Sequence, residues 1–333
     1  MTLPACKGLS AWVRSAASAT QGPVMIGNTF TLKQLEALIW VADLGSFRKA
    51  AAHLNTTQPN ISARIAGLEA TLGTTLMLRN AGSVQLTDKG TEIVQAARRV
   101  LHEAEGLITV AKRPDLIQDR LRLGVTELVA CTWLHSFLLS LKDAYPSVSV
   151  ELTVDLSRNL DIALTKNALD LAIQTAPFTS SATGITELGQ YPYVWVCGAS
   201  LTFEEGGQYG VGDLLEAGIL TPARDTQASI ALNEYADQQG LPKGRIVPSN
   251  SLSSCVKMAR DGLGVAVLPR ALVTAEAGGA PLRQLQVDWT PAPLRFAARY
   301  QAGKVAQYVQ EAAAIAGRIS EDYIRAEAEA VVF

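Results

Sequence analysis

Apolar residues recur along this chain with two different periods, and the place where the period changes divides it. From Leu32 to Ala111 they stand three and four apart, as on helices; from Arg120 onward short apolar runs alternate with helical stretches. In the first part, Thr31 and Gln34 have capping-box spacing. Leu35, Leu38, Ile39 and Ala42 follow until Gly45 stops the run, which predicts a helix over about 32–44. Ser46 can cap a second helix carrying Ala50, Ala51 and Leu54, whose small alanines let a neighbour approach closely, with Asn55 as its stop. Thr57 can cap a third, in which Pro59 is tolerated in the first turn because N–H groups there have no intrahelical partner. Ile61, Ile65, Leu68 and Leu72 mark its buried side and Gly73 its end, while Gln58, Asn60, Ser62, Ala63 and Arg64 lie on or near the open side. Two short extended segments, Thr75–Asn80 and Ser83–Thr87, joined by Ala81-Gly82, suit a small hairpin. Beyond Thr87 a long helix is predicted to about Lys112. Its Ile93, Ala97, Val100, Ala104, Leu107 and Ala111 alternate spacings of four and three, a seam that favours helix pairing.

Pro114 ends that helix, and the rhythm becomes strand and helix in turn: LRLGV, a helix over about 129–144, SVSVELTV, a helix near 158–168, then LDLAIQ. YVWVCG and GIL read as further strands, with a helix near 228–239. SLSSCVKMARDGLGVAVLP reads as helix, glycine stop and buried strand, 292–300 as a returning strand, and about 304–325 as a final helix. The fold class is therefore α+β and multidomain: a small helical front with a hairpin wing, a long connecting helix, and an α/β remainder.

Composition narrows the classes. A chain of 333 residues that is 48% hydrophobic can fill two or three cores without staples. Cys6, Cys131, Cys197 and Cys255 are widely spaced with no CxxC pair, so neither a disulfide framework nor a zinc site is indicated and a reducing, cytoplasmic setting fits best. No run reaches the roughly 18 apolar residues that span a bilayer. Residues 1–28 lack the apolar core of a signal peptide and read either as a disordered extension or as a mis-assigned start, with Met25 as the alternative beginning. The net charge of −2 argues against a uniformly basic coat, but its distribution is uneven. Residues 30–113 hold ten Lys and Arg against seven Asp and Glu, whereas residues 114–333 hold seventeen against twenty-four. The front of the chain is the candidate for meeting phosphates.

Two helices joined by a tight polar turn, with small polar residues opening the second, match what the DNA major groove requires. Gln and Asn pair with base edges, Arg reaches guanine, and Ser or Thr holds phosphate. The bland alternative is a helical hairpin with a solvated face. Residues 32–90 resemble the DNA-binding region of LysR-type transcriptional regulators through Gly45-Ser46-Phe47, Ala50-Ala51, Gln58-Pro59, Leu68-Glu69, and Leu86-Thr87 followed by Gly90. The resemblance extends over the connecting helix and the α/β region to about residue 320. It implies a winged helix-turn-helix over 29–90, a dimerisation helix over 91–113, and an effector domain over 114–325 similar to periplasmic solute-binding proteins. Subdomain I of that domain would cover about 120–188 and 290–325, and subdomain II about 189–289. Carried over by position, Gln58, Pro59, Asn60, Ser62 and Arg64 would face bases, Ser46 and Arg48 phosphates, and Arg79 the wing's minor groove. Ala63 stands where many members have Arg, and the wing is less basic than usual, which implies a modest phosphate contribution.

The resemblance also implies a ligand cleft between the subdomains, lined by loops leaving strand ends: VTEL, DLSRN, TPARDT and SNSLSS. Its candidate residues are Thr126, Glu127, Ser157, Arg224, Asp225, Asn250 and Ser251. Hydroxyls and N–H groups at helix starts hold carboxylates, and small acids are gripped this way in the family. For Thr126, Ser157 and Ser251 the alternative is helix capping, and for Arg224 a surface arginine. Leu128 replaces a common Ser or Thr and Glu127 brings a negative charge. The expected effector is therefore less a plain dicarboxylate than a small organic acid that also carries an amine, amino-acid-like, or an aromatic one using Trp133 or Phe178. The implied partners are an operator in double-stranded DNA, that effector, a second copy through the connecting helix and a homotetramer beyond it, with RNA polymerase a further one that the family allows. No cofactor and no metal are expected.

A second reading keeps the DNA-binding part but switches it by cysteine oxidation. Cys131 and Cys255 follow cleft loops, yet only Lys257 brings positive charge near them. A hydrolase using His135 and Ser136 is disfavoured, because adjacent residues on a helix point about 100° apart and there is no Gly-x-Ser-x-Gly elbow. A solute-binding protein would leave the first 90 residues without a role. The chain is expected not to be an enzyme.

Overall fold

The computed structural model describes residues 29–80, 83–111, 113–117, 119–204, 206–275, 281–303 and 305–330. The expectations for residues 1–28, Cys6, the Ala81-Gly82 turn and Lys112 lie outside them. The chain folds as two units, one ending at Ala97 and one beginning at Arg98.

In the first unit α1 spans Leu32–Leu44, α2 Phe47–His53 and α3 Gln58–Leu72. The capping box forms: Gln34 N donates to Thr31 Oγ1 at 3.3 Å and Thr31 N donates to Gln34 Oε1 at 2.8 Å. Ser46 caps α2 by accepting from Lys49 N at 3.4 Å. Gly45 and Gly73 end α1 and α3 in the left-handed region, at φ 61° and 64°, where a side chain would be strained. Leu35, Leu38, Val41, Phe47, Ala50, Ile61, Ile65 and Leu68 are buried, so each helix turns its apolar stripe inward as its period required. Thr57 holds the N-cap position of α3, but its hydroxyl makes no capping hydrogen bond; instead Asn60 Nδ2 donates to Thr56 Oγ1 at 2.8 Å.

Strands β1 (Met77–Asn80) and β2 (Ser83–Leu86) form the antiparallel wing, and Glu69 of α3 fixes its base. The Glu69 carboxylate accepts from Leu76 N at 2.7 Å and Met77 N at 3.2 Å. Helix α4, Asp88–Val110, follows. The Leu-Thr-x-x-Gly motif acquires a physical reason here. Thr87 Oγ1 accepts from Gly90 N at 2.9 Å and donates to Thr75 O at 2.9 Å, and a Cβ on Gly90 would stand 2.1 Å from Leu76 O.

The second unit holds two sheets. The first contains β3 (Arg120–Val125), β4 (Ser149–Val154), β5 (Leu171–Thr175), β6 (Gly184–Tyr191) and, from far along the chain, β13 (Leu294–Tyr300), in the order β4-β3-β5-β13-β6. The second contains β7 (Tyr193–Gly198), β8 (Gln208–Tyr209), β9 (Ile219–Pro222), β10 (Ile246–Ser249), β11 (Val265–Pro269) and β12 (Leu282–Val287), in the order β10-β9-β11-β7-β12-β8. Helices α5 (Glu127–Cys131), α6 (Leu134–Ala144) and α7 (Ser157–Thr165) connect the first sheet. Helices α8 (Val211–Leu214), α9 (Gln227–Gln238), α10 (Leu252–Arg260) and α11 (Arg270–Ala275) serve the second, and α12 (Gln307–Ala330) closes the chain. In each sheet one strand has parallel neighbours reached by crossovers in opposite directions: β3 lies between β4 and β5, and β9 between β10 and β11. Such switch points open a crevice at the strands' carboxyl ends.

Two details depart from the sequence pattern. The helix expected over 129–144 is broken: Thr132, at φ −114° and ψ −98°, leaves the helical region while its hydroxyl donates to Leu128 O at 2.7 Å, and Trp133 turns inward to 2% exposure. Strands β6, β8, β10 and β12 and helices α8 and α11 are not announced by any period in the sequence. β6 and β12 mix buried and exposed positions irregularly, and the others have two to six residues.

Candidate functional site

On the first unit, Gln58, Pro59 and Asn60 are exposed at the start of α3, Ala63 is exposed one turn on, and Ser62 and Arg64 are half-buried at its flanks. The helix thus presents amides and small side chains outward while Ile61, Ile65 and Leu68 anchor it. Asn60 already donates to Thr56, which orients its amide and leaves its oxygen as an acceptor. Ser46 and exposed Arg48 stand at the start of α2, and neither Arg48 nor Arg64 has an acidic partner among the described residues. Arg79 is placed on β1 by its backbone; its side chain lies outside what is described. A helix start with free donors beside unpaired cations is what a groove and its phosphates engage.

On the second unit, the loops leaving β3 and β10 meet. Glu127, the first residue of α5, accepts from Ser251 Oγ at 3.1 Å, Ser253 N at 3.2 Å and Leu252 N at 2.6 Å. Ser251 also accepts from Ser254 N at 3.2 Å, so it caps α10 while reaching Glu127. Beside them Cys131 Sγ lies 3.5 Å from Ser253 Oγ. Thr126 holds the N-cap position of α5, and its buried Oγ1 has no partner among the described residues. Ser157 is tied to the end of β5, accepting from Thr175 N at 2.9 Å and lying 2.7 Å from Thr175 Oγ1. Arg224, Asp225 and Asn250 are all exposed. The structure therefore brings Glu127 and Ser251 together and assigns Ser157 a local partner.

The two aromatic candidates differ in setting. Trp133, at 2% exposure, belongs to the core rather than to a cleft wall, and buried Leu128 joins it. Phe178 lies under the Arg299 guanidinium, 4.4 Å from the ring centroid. That arginine belongs to a cluster with no signal in the sequence. Asp161, buried on α7, accepts from Gln174, Thr179, Ser180 and Arg299, with Ser180 N at 2.8 Å and Thr179 N at 3.0 Å. Burial alone would push this carboxyl up, but hydrogen bonds from Ser180, Thr179, Gln174 and Arg299 outweigh it and hold Asp161 well below the usual carboxylate range. Isolated Asp and Arg residues 138 positions apart give no sign of the pair. The cluster fastens the segment after β5.

The thiols differ in setting. Burial pushes Cys197 and Cys255 up, and Cys255 Sγ donates to Thr221 O at 3.6 Å. Cys131 is half-buried. Two open hollows, of about 590 Å³ beside Phe203 and Arg283 and about 320 Å³ over β7 and β12, are lined by none of the four loop sequences. His135 and Ser136 are exposed on α6. No helix among the described residues is long and apolar enough to cross a membrane.

Known proteins share both parts of this geometry. Residues 32–91 match the family described as bacterial regulatory helix-turn-helix protein, lysR family, and residues 114–315 match the LysR substrate binding domain. A Streptomyces viridosporus protein named probable hydrogen peroxide-inducible genes activator is 31% identical over 301 residues, covering 86% of this chain and 93% of its own. The regulator GltR of Bacillus subtilis is 24% identical over 244 residues, 73% of this chain and 81% of its own. Among solved structures, a full-length OxyR variant from Pseudomonas aeruginosa aligns with a TM-score of 0.57 at 21% identity, over 88% of this chain and 95% of that one. Full-length BenM aligns with 0.52 at 19% identity, over 88% and 97%. At these identities the structures speak for the fold.

Proposed function

The chain belongs to the LysR family of transcriptional regulators, and on that premise we propose that it reads an operator with α3 and is switched by a small molecule received between the subdomains. The observation that carries the second half is the meeting of two loops that leave strand carboxyl ends, from β3 and β10, through Glu127 and Ser251. A molecule entering there changes how the two subdomains are joined, and differential affinity for two arrangements is what shifts an equilibrium. Its class is a small organic acid or amino-acid-like compound whose amine can pair with Glu127; Thr126, with an unpartnered hydroxyl, supplies a further contact. Arg224, Asp225, Asn250 and Ser157 are second in line. On DNA, Gln58, Pro59, Asn60, Ser62 and Arg64 read bases, and Ser46, Arg48 and Arg79 hold phosphates or the flanking groove.

Two copies pair through α4, on which Val100, Leu107 and Val110 are 41%, 72% and 83% exposed despite being apolar. A homotetramer and contact with RNA polymerase follow as family expectations, and such a regulator works in the cytoplasm. Relatives named hydrogen peroxide-inducible activators raise the oxidation reading, but a peroxide-reactive cysteine needs an accessible thiolate. Cys197 and Cys255 are buried with their thiols pushed up, which leaves half-buried Cys131 as the thiol on which the oxidation reading would depend.

The test is thermal unfolding of the full chain against a library of small acids, amino acids and aromatic carboxylates, since a ligand stabilises the state it binds. One chemical class should raise the melting temperature and alter operator affinity. A shift under mild oxidant alone, abolished by Cys131→Ser, would overturn the effector reading in favour of the thiol.

A further inference from the structure

Glu127 makes an unusual set of contacts for a residue on a cleft wall. Its carboxylate faces three donors, Ser251 Oγ, Leu252 N and Ser253 N, that belong to the other subdomain and lie 124 to 126 positions away in sequence. Two of the three are backbone N–H groups in the first turn of α10, where no intrahelical carbonyl is available to them. The positive end of a helix dipole adds to the attraction. None of these three donors is a cationic side chain, so the counter-charge they offer Glu127 is the helix start itself. An external carboxylate bound at such a place would use the same N–H pair and the same capping hydroxyl. Here the chain supplies the carboxylate from its own opposite wall.

A second contact lies along the same seam, Cys131 Sγ to Ser253 Oγ at 3.5 Å. Elsewhere the subdomains are tied by α5 packing on α11 and by α12, which packs on the first sheet while its Glu327 accepts from Arg270 Nε, at the start of α11, at 2.9 Å. The first tie joins one carboxylate to the start of α10 where two loops end, and the second is anchored in a long helix. The loop tie is therefore the one that a small molecule can exchange.

We propose that Glu127 is a latch that holds the two walls of the cleft together and sets what the cleft admits: simple carboxylates are excluded from α10 because Glu127 is already seated there, and an effector acts by engaging Glu127 through a cationic or hydrogen-bond-donating group. This rests on the cleft being the effector site, and the experiment separates the two ideas.

Glu127→Ala in the full chain empties the seat without filling it. The melting temperature should fall by about 4–8 °C, the shift that loss of roughly 2 kcal/mol gives in a unit of this size. Added sodium acetate should recover that loss saturably, whereas sodium chloride at equal ionic strength should not and the wild-type chain should not respond. Small-angle scattering should show a larger radius of gyration for the variant and its return with acetate. Ser251→Ala, which removes one donor and leaves Glu127 in place, should lower the melting temperature less and show no acetate dependence. Equal acetate responses in wild type and Glu127→Ala, or no loss in the variant, would overturn the latch. Should Glu127→Ala fail to fold, Glu127→Gln decides: a melting temperature equal to wild type would count against the latch, and a loss of a few degrees would support it. A failed compound library, by contrast, would sink the effector reading while leaving the acetate result standing.

Discussion

Single residues carry constraints that composition conceals, and two allow numerical expectations. Gly90 is close to Leu76 O because the first turn of α4 packs against the residue just before β1, so Gly90→Ala forces either the helix or the base of the wing to move. Overpacking of this kind costs about 1–3 kcal/mol, and urea unfolding of the full chain should show that loss in the transition of the DNA-binding unit. Asp161 is held below the ordinary aspartate value of about 3.9 by the donors around it. Because its folded value is lowered, the stability it contributes is complete above the unfolded value and is lost as pH falls through the folded one. Asp161→Asn leaves buried Arg299 without its counter-charge, a change that typically costs about 3–5 kcal/mol. That difference from wild type should be full at pH 7 and should shrink once the pH drops below about 4, measured as unfolding free energy at each pH.

Helices with one apolar stripe and a chemical stop were legible, and what escaped depended on contacts far along the chain. α1 to α3 follow from the spacing of Leu35, Leu38, Ile61, Ile65 and Leu68 and from Gly45 and Gly73. The break at Thr132 depends on a side-chain bond to Leu128 O and on burial of Trp133, neither of which a period reveals. β13 was readable as a strand, but its place between β5 and β6 is a matter of pairing across more than a hundred residues. In the candidate cleft, the loops after β3, β4 and β9 were legible because they follow readable strands, and the one after β10 came from the family resemblance; the partners of Glu127 were not legible, since Ser251 and Ser253 signal no more than a helix start when read alone. At this scale α3 also separates two kinds of DNA contact. Gln58→Ala should relax base preference at one operator position, with a loss of about 1–3 kcal/mol on the preferred sequence and little on others. Arg48→Ala should weaken all sequences alike. Competition binding against a randomised operator library distinguishes the two outcomes.

Across the whole molecule, the charge balance opposes DNA binding everywhere but at the front. Residues 114–333 carry seven more acidic than basic side chains, so attraction to DNA must come from a few cations near the start of the chain. Arg48 and Lys49 on α2 and Arg79 on β1 are the cations assigned to phosphates. Each phosphate neutralised adds about −0.9 to the slope of log affinity against log salt on duplex DNA. Three such contacts per copy give a dimer a slope of about −5 and a single copy one of about −3. Leu107, 72% exposed on α4, is the place to separate these states, because Leu107→Lys puts a charge into the proposed seam without touching the DNA-binding unit. Sedimentation should show the variant shifted towards single copies, and its operator affinity should fall with a slope near the smaller value. A variant that remained dimeric with an unchanged slope would place pairing on another surface, and the edge strand β4, with Val150, Leu152 and Val154 exposed, would be the next to alter. A dimer whose slope were much steeper than about −5 would mean that further cations reach phosphates, and Arg64 on α3 would then be the residue to alter.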